Sequence, residues 1–359
     1  MILDFFLEKL AVDNYPEVQS NKCLFTMYDS QDCHSCEVVC PEEAVSLKDT
    51  RVFFDVKKCI GCGICKSICP TQAIMLRGLG EENILRTIKD KKNIVFSCSK
   101  VGGIGTLKLS CLNAFHPELL ATLFISNPDK TFYFNLSKCS NCKLGNSNHL
   151  LFESINKAIS LVKILRIEPT YKIVEEEKEL INLPEDVLSR RDLLLLFKKK
   201  STNLATKAAE TIVNDKDQIS IRKVLLKSID KRQFNDTELF NIPFFESWDV
   251  NNSCNGCGIC QKSCPGEAWK IDIGEEKIKL YHNSVKCYKC GICKDKCPQN
   301  AISEGIFSTD MLMKYNIKKE IDLVICKTCN NKFVPQDEGI EICPICAKKL
   351  ALRKKIASF

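Results

Sequence analysis

CNGCGICQKSCP at residues 254–265 and CYKCGICKDKCP at residues 287–298 decide the reading of this chain. Each stretch follows C-x2-C-x2-C-x3-C-P, the spacing that seats a cubane [4Fe-4S] cluster. The short loop turns three thiolates toward three irons. The fourth thiolate, just before Pro265 or Pro298, serves the cluster of the other half. Gly256, Gly258 and Gly291 relieve the tight loops and leave backbone N–H groups free to face cluster sulfurs. Ile259 and Ile292 are expected to shield the clusters from water. A pair of zinc sites would draw four ligands from two separated pairs, and three cysteines in a row closed by Cys-Pro fit that poorly.

These residues resemble the bacterial two-cluster ferredoxins. The resemblance implies a ferredoxin-like βαββαβ module. It assigns Cys254, Cys257, Cys260 and Cys297 to one cluster, and Cys287, Cys290, Cys293 and Cys264 to the other.

The chain has 359 residues, 24 of them cysteine. Such a load means either a secreted disulfide framework or metal, and the spacings say metal. Metal-nucleated modules can be small, so more pieces are expected than the length suggests. MILDFFLEKLAVDNYP at the N-terminus carries Asp4 and Glu8 within its apolar run and reads as an amphipathic helix, not a signal peptide. The longest apolar run, Leu193 to Phe197, falls far short of a membrane span. A soluble protein of a reducing, anaerobic cytoplasm is expected. The formal charge of +7 counts every cysteine as neutral. Six thiolate metal sites at about −2 each would turn the balance to about −5, so the basic excess reads as counter-charge rather than a nucleic-acid footprint.

A second such module is expected nearer the N-terminus. CIGCGICKSICP, Cys59 to Pro70, is intact. In the preceding half, Cys33, Cys36 and Cys40-Pro41 hold the last three motif positions, and Ser30 stands at the first. Cys23 can reach back across a longer loop. The expected sets are Cys23, Cys33, Cys36 and Cys69 for one cluster and Cys59, Cys62, Cys65 and Cys40 for the other. Ser30 as ligand, or a site lacking one iron, are the alternatives. His34 occupies no ligand position and is expected at the surface.

Between the modules, NIVFS at Asn93, TLKLS at Thr106 and TFYFNLS at Thr131 read as strands, each ending at cysteine. Helical patterns begin at His116 and Ser147. Alternating strands and helices suggest a parallel sheet, whose binding crevice lies at the strands' carboxyl ends. Cys98, Cys111, Cys139 and Cys142 would converge there. The cysteines alone leave [2Fe-2S], zinc and redox-active free thiols open. Cys98, LSCLNAFHPELLATLF and LSKCSNCKLGN resemble the delta subunit of methyl-viologen-reducing hydrogenase, a domain shared by some heterodisulfide reductases. The resemblance implies a [2Fe-2S] cluster on those four cysteines and a relay between subunits. Its paired cysteines near Cys98 are reduced to one here.

Residues 166–250 lack cysteine and read as amphipathic helices broken near Pro184, a spacer with a small packed face or a docking surface. Trp248 and Trp269 are expected to pack against the module they flank, and Tyr281 and His282 receive no chemistry. LVICKTCNNKFVPQDEGIEICPICAKK near the C-terminus holds two C-x2-C knuckles and resembles zinc ribbons and the rubredoxin-like domain of rubrerythrins. Cys326, Cys329, Cys343 and Cys346 would bind zinc, or alternatively mononuclear iron, in a tetrahedron. Asn330 and Ala347 stand where glycines are common, so few amides are expected to face the sulfurs, which favours zinc.

The expected architecture is an α+β multidomain chain. A dicluster ferredoxin domain with an N-terminal helix spans 1–76, and a small α/β parallel-sheet domain with four cysteines spans 77–165. A helical spacer spans 166–250, a second dicluster domain 251–308, and a zinc-ribbon or rubredoxin-like knob 309–359. No complete phosphate loop, nucleophile elbow or His/carboxylate constellation is present, since GLG at Gly78 and VGGIG at Val101 lack the full fingerprint. The reading is an electron-transfer protein or subunit of an anaerobic oxidoreductase complex, not itself an enzyme. Its partners would be redox proteins or other subunits, with no nucleic acid and no membrane span. A catalytic subunit and a clusters-as-braces protein are the alternatives.

Overall fold

Cys-Pro-x-x-Ala occurs five times in the chain, and the four copies that begin at Cys40, Cys69, Cys264 and Cys297 each close one half of a small β-α repeat. The computed structural model describes residues 15–28, 33–76, 84–85, 87–99, 105–142, 144, 148–181, 221–230, 244–308, 311, 314–335 and 339–357. The N-terminal helix, Ser30, the clusters at Gly78 and Val101, the Gly145-Asn146 pair, and the segment from Asn182 through Pro184 to Lys200 lie outside the described residues, save Gly105. The chain divides into two units, residues 1–233 and 234–359.

The first unit opens with β1 (Pro16–Val18), α1 (Leu24–Tyr28), α2 (Ser35–Val38), β2 (Val45–Lys48), β3 (Arg51–Phe54), α3 (Ile64–Ile68) and β4 (Ile74–Leu76). β1 pairs antiparallel with β4, and β2 with β3. Asp49 and Thr50 turn the β2–β3 hairpin with φ of 48° and 58°, the left-handed pair that suits a two-residue turn.

Next come β5 (Asn93–Cys98), β6 (Leu107–Leu109), α4 (Pro117–Ser126), β7 (Thr131–Asn135), α5 (Asn148–Ile164), β8 (Thr170–Val174), α6 (Lys178–Ile181) and α7 (Ile221–Asp230). The strands form a parallel sheet in the order β6-β5-β7-β8. β5 is buried along nearly its whole length, as a central parallel strand must be. Phe96 sits at the centre of an aromatic core, 4.9 Å from Phe115 and 5.5 Å from Phe134 between ring centroids. His116 caps α4 by accepting the Glu118 N–H at Nδ1, and Pro117 takes the first helical position.

Two features differ from the expected spacer at 166–250. β8 completes the sheet, because its backbone pairs with β7 from Thr131–Thr170 to Asn135–Val174. α7 is amphipathic, as expected, but its packed face reaches into the sheet domain: Ile221, Leu225 and Ile229 are buried, and Arg222 forms a buried ion pair with Glu118 of α4.

The second unit holds β9 (Trp248–Val250), α8 (Ile259–Lys262), β10 (Trp269–Ile273), β11 (Lys277–His282), α9 (Ile292–Asp295), β12 (Ile302–Glu304), β13 (Asn316–Asp322), β14 (Val324–Ile325), β15 (Lys332–Phe333) and α10 (Pro344–Ala357). β9 pairs with β12 and β10 with β11, repeating the arrangement of the first unit. β9 starts before the boundary expected at residue 251. β13, from the segment expected in the knob, instead adds to the outer edge of β11. The β14–β15 hairpin and α10 carry the C-terminal cysteines. Both units are mixed α/β with small sheets, consistent with ferredoxin-like modules.

Candidate metal centres

In the four Cys-Pro-x-x-Ala turns of the β-α repeats the residue before alanine is left-handed: Glu43 (φ 48°), Gln72 (55°), Glu267 (53°) and Asn300 (47°). That twist aims the alanine N–H back at the thiol. Ala44, Ala73 and Ala268 donate to Cys40, Cys69 and Cys264 at 3.2 Å, and Ala301 donates to Cys297 at 3.3 Å. These four alanines are buried. The sequence reading missed these donors, although alanine four residues after each Cys-Pro cysteine was a visible signal.

Glycine opens three of the cluster helices, with Gly63, Gly258 and Gly291 left-handed at φ of 82°, 79° and 73°. In the altered half, His34 replaces that glycine at φ −111° and so presents a different loop. A 2.9 Å hydrogen bond joins its Nδ1 to Glu37 Oε2.

The thiols gather in sets. Cys36 is pushed up to about 12, first by burial and then by Cys69, Cys33 and Cys23 beside it. Cys33 is raised by burial, with Cys69 and Cys23 adding to it. Cys23 therefore stands with the three motif cysteines despite its distance along the chain. Cys62 and Cys65 are raised by burial, with Cys59 and Cys40 as charged neighbours of both. A cleft is lined by Cys40, Cys59, Cys62 and Cys65. In the second unit, burial, then Cys254, Cys257 and Cys297 raise Cys260 to about 12. Those four thiols line another cleft, walled by Leu280 and Ile302. Burial raises Cys290 and Cys293, with Cys264 acting on both. Crowded buried thiols resist losing protons, and a shared cation removes that resistance. The four sets thus suit a cluster chemically.

Two indoles join the last set. Trp248 Nε1 donates to Cys287 Sγ at 3.4 Å. Trp269 shares one buried group with Cys293, and its side chain counters the upward pull of burial on that thiol. These tryptophans do more than pack. Trp269 also lies 4.6 Å from the His282 ring. Both His282 nitrogens lack a hydrogen-bond partner among the described residues, and burial first, then Lys318, holds the imidazole down to about 3.

In the parallel-sheet domain, Cys98 ends β5, Cys111 follows β6, and Cys139 and Cys142 bound a short 3-10 turn beyond β7. All lie at the carboxyl ends of the strands, where an α/β sheet opens its crevice. Cys111 is pushed up to about 12 by burial, with Cys98, Cys62 and Cys139 adding to it. Cys142 packs against the buried group of Cys62, Ile64, Cys111 and Leu144. Ser67 Oγ donates to the Asn113 carbonyl at 2.8 Å and fastens α3 to the turn after Cys111.

At the C-terminus the sulfurs of Cys326, Cys329, Cys343 and Cys346 all lie within 4.8 Å of one another. Cys329 and Cys343 are 3.8 Å apart, which matches the ~3.8 Å edge of a tetrahedron built on a Zn–S bond of about 2.3 Å. The Cys343 N–H donates to Cys326 Sγ at 3.2 Å and leads the causes that hold this thiol down to about 6. The amides of Thr328 and Cys329 add to it. Asn330 adopts φ 57°, as glycine would. The expectation of few amides facing sulfur therefore fails at Cys326.

Two comparisons bear on these sites. Residues 253–302 match the family model of the 4Fe-4S dicluster domain, and residues 52–75 match that of the 4Fe-4S binding domain. The chain thus carries two 4Fe-4S ferredoxin-type domains. No curated protein matches it. Among the described residues no helix is long and apolar enough to cross a membrane.

Proposed function

We propose that this chain is a multi-centre electron-transfer protein or subunit of an anaerobic oxidoreductase complex. Its partners are redox proteins or sister subunits, and it relays single electrons rather than transforming a substrate. The two 4Fe-4S ferredoxin-type domains point to an electron carrier. Cubane clusters, when bound, supply one-electron chemistry at low potential.

The residues proposed to hold four cubanes are Cys23, Cys33, Cys36 and Cys69; Cys40, Cys59, Cys62 and Cys65; Cys254, Cys257, Cys260 and Cys297; and Cys264, Cys287, Cys290 and Cys293. Cys98, Cys111, Cys139 and Cys142 are proposed to hold a [2Fe-2S] cluster. The alanine amides at the four turns stabilise ligand charge, and Ile64 and Ile292, both buried, keep water from the thiols. The observation that carries the relay is Cys62 beside Cys111 in one apolar group, since electron hopping needs neighbouring centres.

Zinc is proposed at the C-terminal tetrahedron as a structural brace. Mononuclear iron is the second reading, favoured by the three amides at Cys326. Analysis of anaerobically purified protein should find about 18 iron and 18 sulfide per chain, with one zinc. Several signals should develop in an EPR titration. Clusters that dithionite cannot reduce would end the carrier reading.

A further inference from the structure

The fourfold repeat contains its own control. The residue after each turn alanine is Val45, Ile74, Trp269 and Ile302. Three are aliphatic and cannot donate a hydrogen bond. The fourth is an indole buried in one group with Cys293 and acting on its thiol. The other end of the module shows the same asymmetry. Trp248 stands six residues before Cys254, and Tyr281 stands six residues before Cys287. Trp248 donates to Cys287, whereas Tyr281 donates to no sulfur of the opposite set among the described residues. Both indoles therefore serve one thiol set, and they are the only two tryptophans in the chain.

Their placement is built in by the fold. β9 pairs with β12, with Trp248 opposite Glu304, and β10 pairs with β11, with Trp269 opposite His282. Both side chains are buried, at 4% and 3% exposure, so neither N–H has water as an alternative partner at hand. The Cys254, Cys257, Cys260 and Cys297 set has no side-chain donor to sulfur among the described residues, and Cys257 is exposed.

We propose that Trp248 and Trp269 are positioning residues that raise the reduction potential of the cluster held by Cys264, Cys287, Cys290 and Cys293. The inference rests on the reading of that set as a cubane site. Hydrogen bonds to ligand sulfur withdraw negative charge, and the reduced cluster, which carries one electron more, gains most from them. One cluster of a near-symmetric pair is thereby biased toward holding the electron. Cluster and ligands otherwise follow the same pattern in both halves.

The test is an anaerobic redox titration of the full chain with W269I, which installs the residue used at the repeat's equivalent position in the partner half, and with W248F. Each variant should shift one midpoint downward by about tenfold in the reduction equilibrium, ~59 mV for a one-electron couple. The other midpoints should stay in place, with iron and sulfide contents unchanged. The signal concerned is the one lost in C290A. A full cluster content with an unmoved midpoint in both variants overturns the proposal. Should a variant lose its cluster, the wild-type chain decides. Labelled with 15N in its tryptophans, it should show indole nitrogen coupling on that reduced signal by ENDOR, and absence of the coupling overturns the proposal. A C290A chain that keeps every signal of the wild type would instead overturn the cubane assignment itself.

Discussion

Cys62 and Cys111 meet in one buried apolar group, although one belongs to a ferredoxin-type loop and the other follows a strand of the parallel sheet. Ile64 and Leu144 share the group, and the Ser67 to Asn113 hydrogen bond fixes the junction. Two paramagnetic centres held by these thiols would split or broaden each other's EPR signals. C111A should remove one set of signals and sharpen another, while the signals of the second unit stay unchanged. An unaltered spectrum would separate the sheet site from the relay.

The mononuclear metal proposed for the C-terminal tetrahedron would need no sulfide. C343S should remove one metal equivalent per chain, with acid-labile sulfide unchanged, as read by elemental analysis. The same measurement names the metal, because zinc and iron are counted separately. Sulfide lost together with the metal would mean a cluster at these knuckles.

Glu118 is held between Arg222 and Gln72. Arg222 donates through Nε at 2.8 Å and Nη2 at 2.5 Å, and Gln72 Nε2 donates at 2.8 Å. Burial alone would raise the carboxyl. The guanidinium charge and these hydrogen bonds more than offset that and hold it below the usual carboxylate range. R222M leaves a buried carboxylate uncompensated and should cost about 3–5 kcal/mol. Anaerobic denaturant unfolding of the full chain should show this loss in the transition of the first unit. A change within about 1 kcal/mol, a bound set as an order of magnitude by exposed pairs, would show that the pair is solvated.

His116 is fully buried and held down to about 4, first by burial and then by Arg222, Lys66 and Lys157, with Glu118 opposing. Its folded value lies below the free imidazole value of about 6.5. The neutral ring's contribution is therefore complete above about pH 6.5 and is lost as pH falls toward 4. The unfolding free energy of the first unit should drop between about pH 6.5 and 5, by up to ~2 kcal/mol at about 1.36 kcal/mol per pH unit. H116N keeps an oxygen to cap the Glu118 N–H and removes the titration. Its midpoint should be flatter across that window, and an identical slope in both proteins would assign the loss to other groups.

Much of the chemistry was legible because ligand spacing is local. Three cysteines within one loop are constrained by covalent geometry, and Gly63, Gly258 and Gly291 mark the same bend each time. The alanine turn was equally local and equally readable. The bounds of the sheet domain were harder. Thr170–Val174, TYKIV, has no cysteine, yet Thr, Tyr, Ile and Val are strand formers, so the sequence carried a strand signal that the reading of helices over 166–250 passed over. Its conformation comes from pairing with β7. Arg222 lies in a stretch that reads as amphipathic helix, and Glu118, contributed by α4, gives it a buried partner that the local sequence does not announce.

The sequence by itself determined the kind of chemistry: which cysteines can share a loop, and that metal rather than disulfide uses them. Tertiary structure alone decided which groups meet across the fold. Cys23 joins Cys33 and Cys36, Cys62 lies beside Cys111, the Trp248 N–H reaches the Cys287 sulfur, and Trp269 is buried with Cys293. Chain connectivity limits distances within a loop, whereas these meetings depend on strand order and buried packing.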